Sequence, residues 1–415
     1  RHLKGIMERN KLTVHNKNEV PAQRGDDAIA VRTKRSDDDA IAVRTKRGGK
    51  GRRKKLTKQQ KKARVLAVLI SVFVGLTALY AVIVCSDMPF IKYWRTIWIE
   101  TAMTTKSHQW LATWFFPDSV ISAVMSNQYE DPNVIGGDIT TADTTAPPND
   151  EPEPEPENKD PLGLANLYVG GKDFAGNTIV INDIENGILV SEITGPNYKG
   201  RIMLVDEPSR VYVGMTQYPG VTGMRILDMM KFYGAVAGVN ASGFADYDEN
   251  GNGGEVVGMS LSQGKYWGSY VPYYSSIVIT NDDRLIVGTL NDWASYGNIR
   301  DGIQFSPLLI ANGQKMVSGS SGYGIQPRTG VGQREDGVMV FLNVDGRDVT
   351  YSIGCTVDDM AEILLSYGVI NASSCDSGAT SVIAYKGEVI TRNCSANPTL
   401  GRILPNAFLI NPKEK

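Results

Sequence analysis

The chain has 415 residues, 42% of them hydrophobic, which is too long for one ordinary core and too apolar for disorder throughout. Its three histidines end at His108, so imidazole catalysis is excluded from everything that follows. The net charge of −2 hides a polarity: residues 1–64 hold 21 Lys and Arg against 7 Asp and Glu, and the remainder holds 22 against 38.

The basic segment 1–64 contains the repeat DDAIAVRTKR at Asp26 to Arg35 and again at Asp38 to Arg47. Two copies are too few for a solenoid, and a charged run without aromatics predicts a disordered tail. Its cations suit a solvated topology signal or contact with anionic lipid. Nucleic acid is not expected as a partner.

Val65 to Cys85 carries no charge and is long enough for a helix to cross the roughly 30 Å hydrocarbon layer. A cleaved signal peptide is the competing reading, but the run exceeds a usual h-region and no small-x-small site follows. Arg52, Arg53, Lys54, Lys55, Lys58, Lys61, Lys62 and Arg64 precede it, which places the N-terminus in the cytoplasm and the rest outside the cell membrane. Residues 86–130, with Trp94, Trp98, Trp110 and Trp114, suit amphipathic helices that lie at the membrane interface or dock on a globular domain. Residues 131–161, with their alternating Glu and Pro, predict an extended linker.

From residue 162 to 415 the pattern is globular. Strand-like runs at Ile179 to Ile181, Ile202 to Val205, Ser276 to Thr280 and Val338 to Val344 are separated by turn residues. Helical patterns stand at Gly223 to Tyr233 and Val357 to Tyr367, the second with Thr356 as N-cap and Gly368 as stop. The fold class expected is α+β, a mixed β-sheet catalytic domain with a few helices, preceded by a single transmembrane helix.

Six motifs follow in order: Gly238 to Phe244 (GVNASGF), Gln304 to Gly313 (QFSPLLIANG), Pro327 to Gln333 (PRTGVGQ), Asp336-Gly337 leading to Asp345-Gly346-Arg347, Asp376-Ser377-Gly378, and Gly401-Arg402 leading to Leu409. In this order they resemble the phosphodiester glycosidase family over roughly residues 168–412. The resemblance implies hydrolysis of a sugar-1-phosphodiester, with a phosphorylated glycan of the cell envelope or an exopolysaccharide as substrate. It further implies catalytic roles for Asp376, Asp345 and Arg328, and substrate contacts from Asn240, Thr329, Ser377, Gly378 and Arg402.

The residue chemistry suits that reaction. Arg328 and Arg402 offer planar forks for phosphate oxygens. Asp376 and Asp345 are the carboxylates available to stabilise an oxocarbenium-like state or handle a proton. By local pattern alone, Asp345-Gly346 also reads as a hairpin turn and Arg328 as a loop cation. The family's usual Asp-Gly-Gly is Asp376-Ser377-Gly378 here, with Ala379 following, and this departure motivates a non-catalytic glycan-binding or assembly protein as one alternative. Asp246, Asp248 and Asn250 alternate as in a calcium loop, but Val257 stands where an EF-hand needs Glu. A non-EF Ca2+ site and a calcium-dependent phosphodiesterase are thus a second alternative. Cys375 and Cys394 either pair in an oxidising exterior or remain free thiols.

Overall fold

The computed structural model describes residues 55–105, 108–126, 132–137, 160–246 and 251–414. The repeat-bearing tail, the Glu-Pro run, Asp248 and Asn250 lie outside them. The chain divides into residues 1–67 and 68–415.

The apolar run lies in one helix, Lys58–Cys85, with a mean hydropathy of 2.6 in its most apolar part, long and apolar enough to cross a membrane. Its final carbonyls are closed by Arg95, whose Nη1 donates to the carbonyls of Ile83, Val84 and Ser86 at 3.1, 2.7 and 3.1 Å. A cation there also meets the negative end of the helix dipole. The segment expected to be helical contains Pro89–Met103, Trp110–Thr113 and Asp118–Met125. Ile99, Ala102, Ala112, Phe116 and Ile121 close a small core among them. Phe90, Trp94 and Trp98, four residues apart, form an exposed stripe on the first helix, while Ile97 and Glu100 turn inward.

Among the described residues, three large antiparallel sheets and one two-stranded sheet, Ile403–Leu404 with Met224–Arg225, build the remainder. An eight-stranded sheet has at its centre the strands Val369–Cys375, Arg328–Arg334, Met339–Val344 and Lys199–Val205, in that spatial order. A five-stranded sheet is built around Asn406–Ile410 and Ala237–Asn240, and a six-stranded sheet around Ser275–Thr280 and Ile299–Phe305. The expected strands are therefore present. Their period of two explains the layering: Met339 and Phe341 face the main core shared by the three sheets, whereas Val338, Val340, Leu342 and Val344 face a second core. Helix Val357–Ser366 covers that second core through Val357, Met360, Ala361 and Leu364. Burial on both faces is why the run reads as continuously apolar. The helix begins in a capping box, in which Asp359 N donates to Thr356 Oγ1 at 3.1 Å and Thr356 N donates to Asp359 Oδ2 at 2.8 Å. The other expected helix spans Ile226–Tyr233.

One expectation is amended, and one alternative left open by the sequence is decided. The linker expected over 131–161 contains a short edge strand, Ile135–Gly136, which pairs with Leu285–Gly288 and is tied by Gly137 N donating to Asn312 Oδ1 at 2.9 Å. Cys375 and Cys394 are both free. Cys375 is buried in the main core, so no disulfide braces the Asp376 loop.

Candidate active site

Strands Met339–Val344 and Val369–Cys375 flank Arg328–Arg334, and both are antiparallel to it. Their C-terminal ends therefore emerge at one edge of the sheet, where Arg328 begins. Asp345 follows one strand and Asp376 the other, two strand spacings apart, which is roughly 10 Å of backbone separation.

Alternation along Arg328–Arg334 then decides the fate of two expected site residues. Thr329 faces the main core with Val331, whereas Gly330 meets the covering helix so closely that a Cβ there would lie 2.9 Å from Met360. Arg328 shares the face of Gly330. It is 2% exposed, and its fork is taken by backbone: Nη2 donates to the carbonyls of Tyr323 and Gly324 at 2.8 and 2.9 Å, and Nε to that of Cys355 at 3.4 Å. Burial pushes its pKa down to about 10. The phosphate fork expected at Arg328 is thus engaged in holding the loop before it.

Asn240 and Thr329 are likewise buried rather than open to a ligand, at 1% and 0% exposure. Thr329 Oγ1 donates to Asn240 Oδ1 at 2.8 Å and accepts from Asn343 Nδ2 at 3.0 Å. Asn240 Nδ2 donates to the carbonyl of Asp376 at 2.7 Å, and its Oδ1 also accepts from Val382 N at 3.0 Å. These residues pin the five-stranded sheet to the eight-stranded one directly under Asp376. They hold the loop from beneath.

The loop itself keeps a usable geometry. Ser377 has φ −132° and ψ −176°, extended backbone that any residue adopts, so serine replaces the family's glycine without strain. Gly378 is left-handed at φ 75°, where a Cβ would also lie 2.9 Å from Arg347 Nη2, and this glycine is retained. Its N–H donates to the carbonyl of Pro327 at 2.9 Å. Ser377 N donates to Asp376 Oδ1 at 3.0 Å, and Ser377 Oγ donates to the carbonyl of Cys375 at 3.0 Å.

Around the Asp376 carboxyl stand Thr380, Arg402 and Asp246. Burial pushes its pKa up to about 6, against the pull of the Thr380 hydroxyl, Ser377 N–H and Arg402. Arg402 Nη1 donates to Asp246 Oδ2 at 2.9 Å, and its guanidinium lies 4.9 Å from the centre of the Phe244 ring. Gly243 passes beside the carboxyl, since a Cβ there would lie 4.0 Å from Asp376 Cγ and 3.2 Å from Phe305. Tyr274, with its ring 5.5 Å from that of Phe305, completes an aromatic wall; burial and the charge of Asp376 push its hydroxyl up to about 12.

Asp345 belongs to a different setting. It lines a cavity of about 340 Å³ with Arg201, Tyr351 and Arg392, and accepts from Arg392 N at 2.9 Å and from Tyr351 Oη at 3.2 Å. Burial pushes it, too, up to about 6. The two candidate carboxylates thus have different surroundings, Asp376 near Asp246 and Arg402 and Asp345 near Arg392 and Tyr351. Of the expected calcium site, only Asp246 lies among the described residues, and it pairs with the Arg402 guanidinium; among the described residues no group of three His, Cys, Asp or Glu side chains is arranged to hold a metal.

Sequence reasoning passed over Arg347, Asn343, Phe244 and Tyr274 as site residues. Arg347 was visible inside Asp345-Gly346-Arg347, and Asn343 follows Met339 and Phe341 at the strand period. Tyr274 carries no sequence signal.

A family model described as phosphodiester glycosidase matches residues 233–411. A curated relative, the SPbeta prophage-derived uncharacterized protein YomE of Bacillus subtilis (strain 168), is 28% identical over 200 residues, or 44% of this chain. The chain spans 29% of that relative's length. Among solved structures, similarity is found to the zebrafish N-acetylglucosamine-1-phosphodiester alpha-N-acetylglucosaminidase catalytic domain auto-inhibited by its pro-peptide, at 19% identity and TM-score 0.44, over 55% of this chain and 82% of that one. A hypothetical protein from Synechocystis is similar at 12% identity and TM-score 0.40, over 56% and 63%. The segment matched by the phosphodiester glycosidase model contains Asn240, Arg347, Asp376 and Arg402, so in this part the chain is similar to that family.

Proposed function

We infer that the domain hydrolyses a sugar-1-phosphodiester at the anomeric carbon. Water adds to C1, the C1–O bond breaks, and the phosphate monoester leaves with the bonding electrons. The observation that carries this reading is the Asp376 carboxyl, held by Ser377 N–H beside the Arg402–Asp246 pair and a half-buried aromatic wall. A carboxylate in that position stabilises positive charge developing on the sugar, and the aromatic rings suit the apolar face of a pyranose. Because phosphate leaves readily, a single essential carboxylate suffices. With Arg328 enclosed, the phosphate falls to Arg402 and to Arg347, whose exposed side chain reaches Gly378 at the loop.

The basic flank of the apolar helix supports an N-in anchor with this domain outside the cell membrane, acting on envelope or exopolysaccharide glycans. The unstrained Ser377 favours a working enzyme over a glycan-binding relative without activity. The test is product analysis of the full chain, in detergent, with a panel of sugar-1-phosphate methyl diesters. Free sugar is expected; sugar-1-phosphate would instead assign a phosphodiesterase, and binding without product a glycan-binding protein.

A further inference from the structure

We propose that Glu100, on the helix that follows the membrane-spanning candidate, is a positioning residue of the active site, so that the membrane-proximal helices are a working part of the enzyme rather than a tether. The proposal rests on the glycosidase reading above.

Glu100 is 3% exposed although it lies on a helix whose opposite side is an open aromatic stripe. Its carboxylate accepts from the Ser320 hydroxyl and lies by the backbone N–H groups of Gly322 and Gly324, whose pull opposes the effect of burial. The adjacent turns add Thr101 Oγ1, which accepts from Ile325 N at 2.9 Å, and Thr104 Oγ1, which accepts from Gln326 Nε2 at 3.4 Å. Contact is close enough that a Cβ on Gly324 would lie 2.5 Å from Thr101 N. A buried carboxylate facing a hydroxyl and two backbone N–H groups is not a general adhesive. Its partners lie in one loop, and that loop leads to the chemistry.

Two routes connect the loop to Asp376. Pro327 O accepts the Gly378 N–H, which fixes the turn after Asp376. The Tyr323 and Ser306 hydroxyls share a hydrogen bond at 3.2 Å, and Ser306 follows Phe305, the ring against Gly243 beside the Asp376 carboxyl. Displacement of the helix would therefore loosen both the carboxylate loop and its aromatic wall. Errors near 1 Å at a reacting centre cost on the order of a hundredfold in rate.

The experiment uses the full chain in detergent, with Glu100→Gln, Thr101→Val, Thr101→Ser and Gly324→Ala. Two quantities are measured: turnover of the sugar-1-phosphate methyl diester that wild type cleaves best, and hydrogen exchange of the Gly378 amide. Glu100→Gln, Thr101→Val and Gly324→Ala should each lower kcat about tenfold or more with KM changed less than about twofold, and speed Gly378 exchange at least about tenfold. Thr101→Ser, which keeps the hydroxyl, should restore both. Should Glu100→Gln fail to fold, the isosteric Thr101→Val decides alone. Normal kcat together with unchanged Gly378 exchange would overturn the proposal. A wild type that cleaves no diester would refute the glycosidase reading instead, and Gly378 exchange would still decide whether the helix holds the loop.

Discussion

Glu100 and Arg328 hold opposite sides of one glycine. The carboxylate of Glu100 lies by the Gly324 N–H, and Nη2 of Arg328 donates to the Gly324 carbonyl at 2.9 Å. Burial pushes the acid up and the guanidinium down, yet each lies in the other's field, which favours both charges. The pair clamps backbone between them without direct contact being required.

That arrangement reassigns Arg328 from ligand binding to structure. Arg328→Lys keeps the charge but cannot reach the carbonyls of Tyr323, Gly324 and Cys355 together. It should cost about 3 kcal/mol of unfolding free energy, because a buried cation is left short of acceptors. Urea denaturation of the purified variant measures this. The inhibition constant of inorganic phosphate should be unchanged, and a large rise in that constant without loss of stability would return Arg328 to the phosphate.

Thr329→Val tests the network under the site. Valine matches the shape but leaves Asn240 Oδ1 with only the Val382 N–H and Asn343 Nδ2 short of an acceptor, all within the buried interior. About 2 kcal/mol of stability should be lost, as for buried groups deprived of a hydrogen-bond partner. Thr329→Ser should recover most of it. Equal stability of the two variants would show that the hydroxyl is not what joins the sheets.

The same strand shows what could be read from sequence and what could not. The apolar runs at Ile202 to Val205 and Val338 to Val344 and the capping signal at Thr356 are local, so those two central strands and the Val357–Ser366 helix were legible, whereas Arg328–Arg334 and Val369–Cys375 were not read as strands. Thr329 and Arg328 were legible as a motif, but not which face each would occupy, since that depends on which core the neighbouring strand covers. Glu100 was hidden for a further reason. Its partner Ser320 lies 220 residues away, and nothing near Glu100 distinguishes an inward acid from an ordinary helix charge. The surroundings of the two candidate carboxylates were hidden similarly: Asp345 and Asp376 follow strands that end at the same end of the sheet, yet Asp345 turns to Arg392 and Tyr351 while Asp376 lies near Arg402.

Arg347 is expected to carry the phosphate contact that Arg328 does not. It is exposed, so Arg347→Ala should change stability by less than about 0.5 kcal/mol. Loss of a charge-assisted bond of about 1.5 to 3 kcal/mol should raise KM for the diester and the inhibition constant of phosphate roughly tenfold to a hundredfold. Steady-state kinetics with phosphate as competitor decide the point, and an unchanged inhibition constant would leave Arg402 as the phosphate ligand.

The pH profile gives the sharpest test of Asp376. Its pKa is pushed up to about 6, and no histidine lies within the domain to supply a limb there. If the ionised carboxylate stabilises the sugar cation, kcat should rise with pH through about 6 and then level; an obligatory proton donor would give the opposite slope. Asp345 also titrates near 6, so the assignment requires Asp376→Asn, which should lower kcat by about a thousandfold or more with little change in KM. Stability supplies an independent sign. A carboxyl whose folded pKa exceeds the unfolded value near 3.8 binds its proton more tightly when folded, so its contribution favours folding at low pH and is lost as pH rises through about 6. Asp376→Asn removes that cost and should raise Tm at pH 7.5 more than at pH 4. A variant with near-normal turnover would remove Asp376 from the mechanism, and a lower Tm at pH 7.5 would show that its charge is compensated in the folded protein.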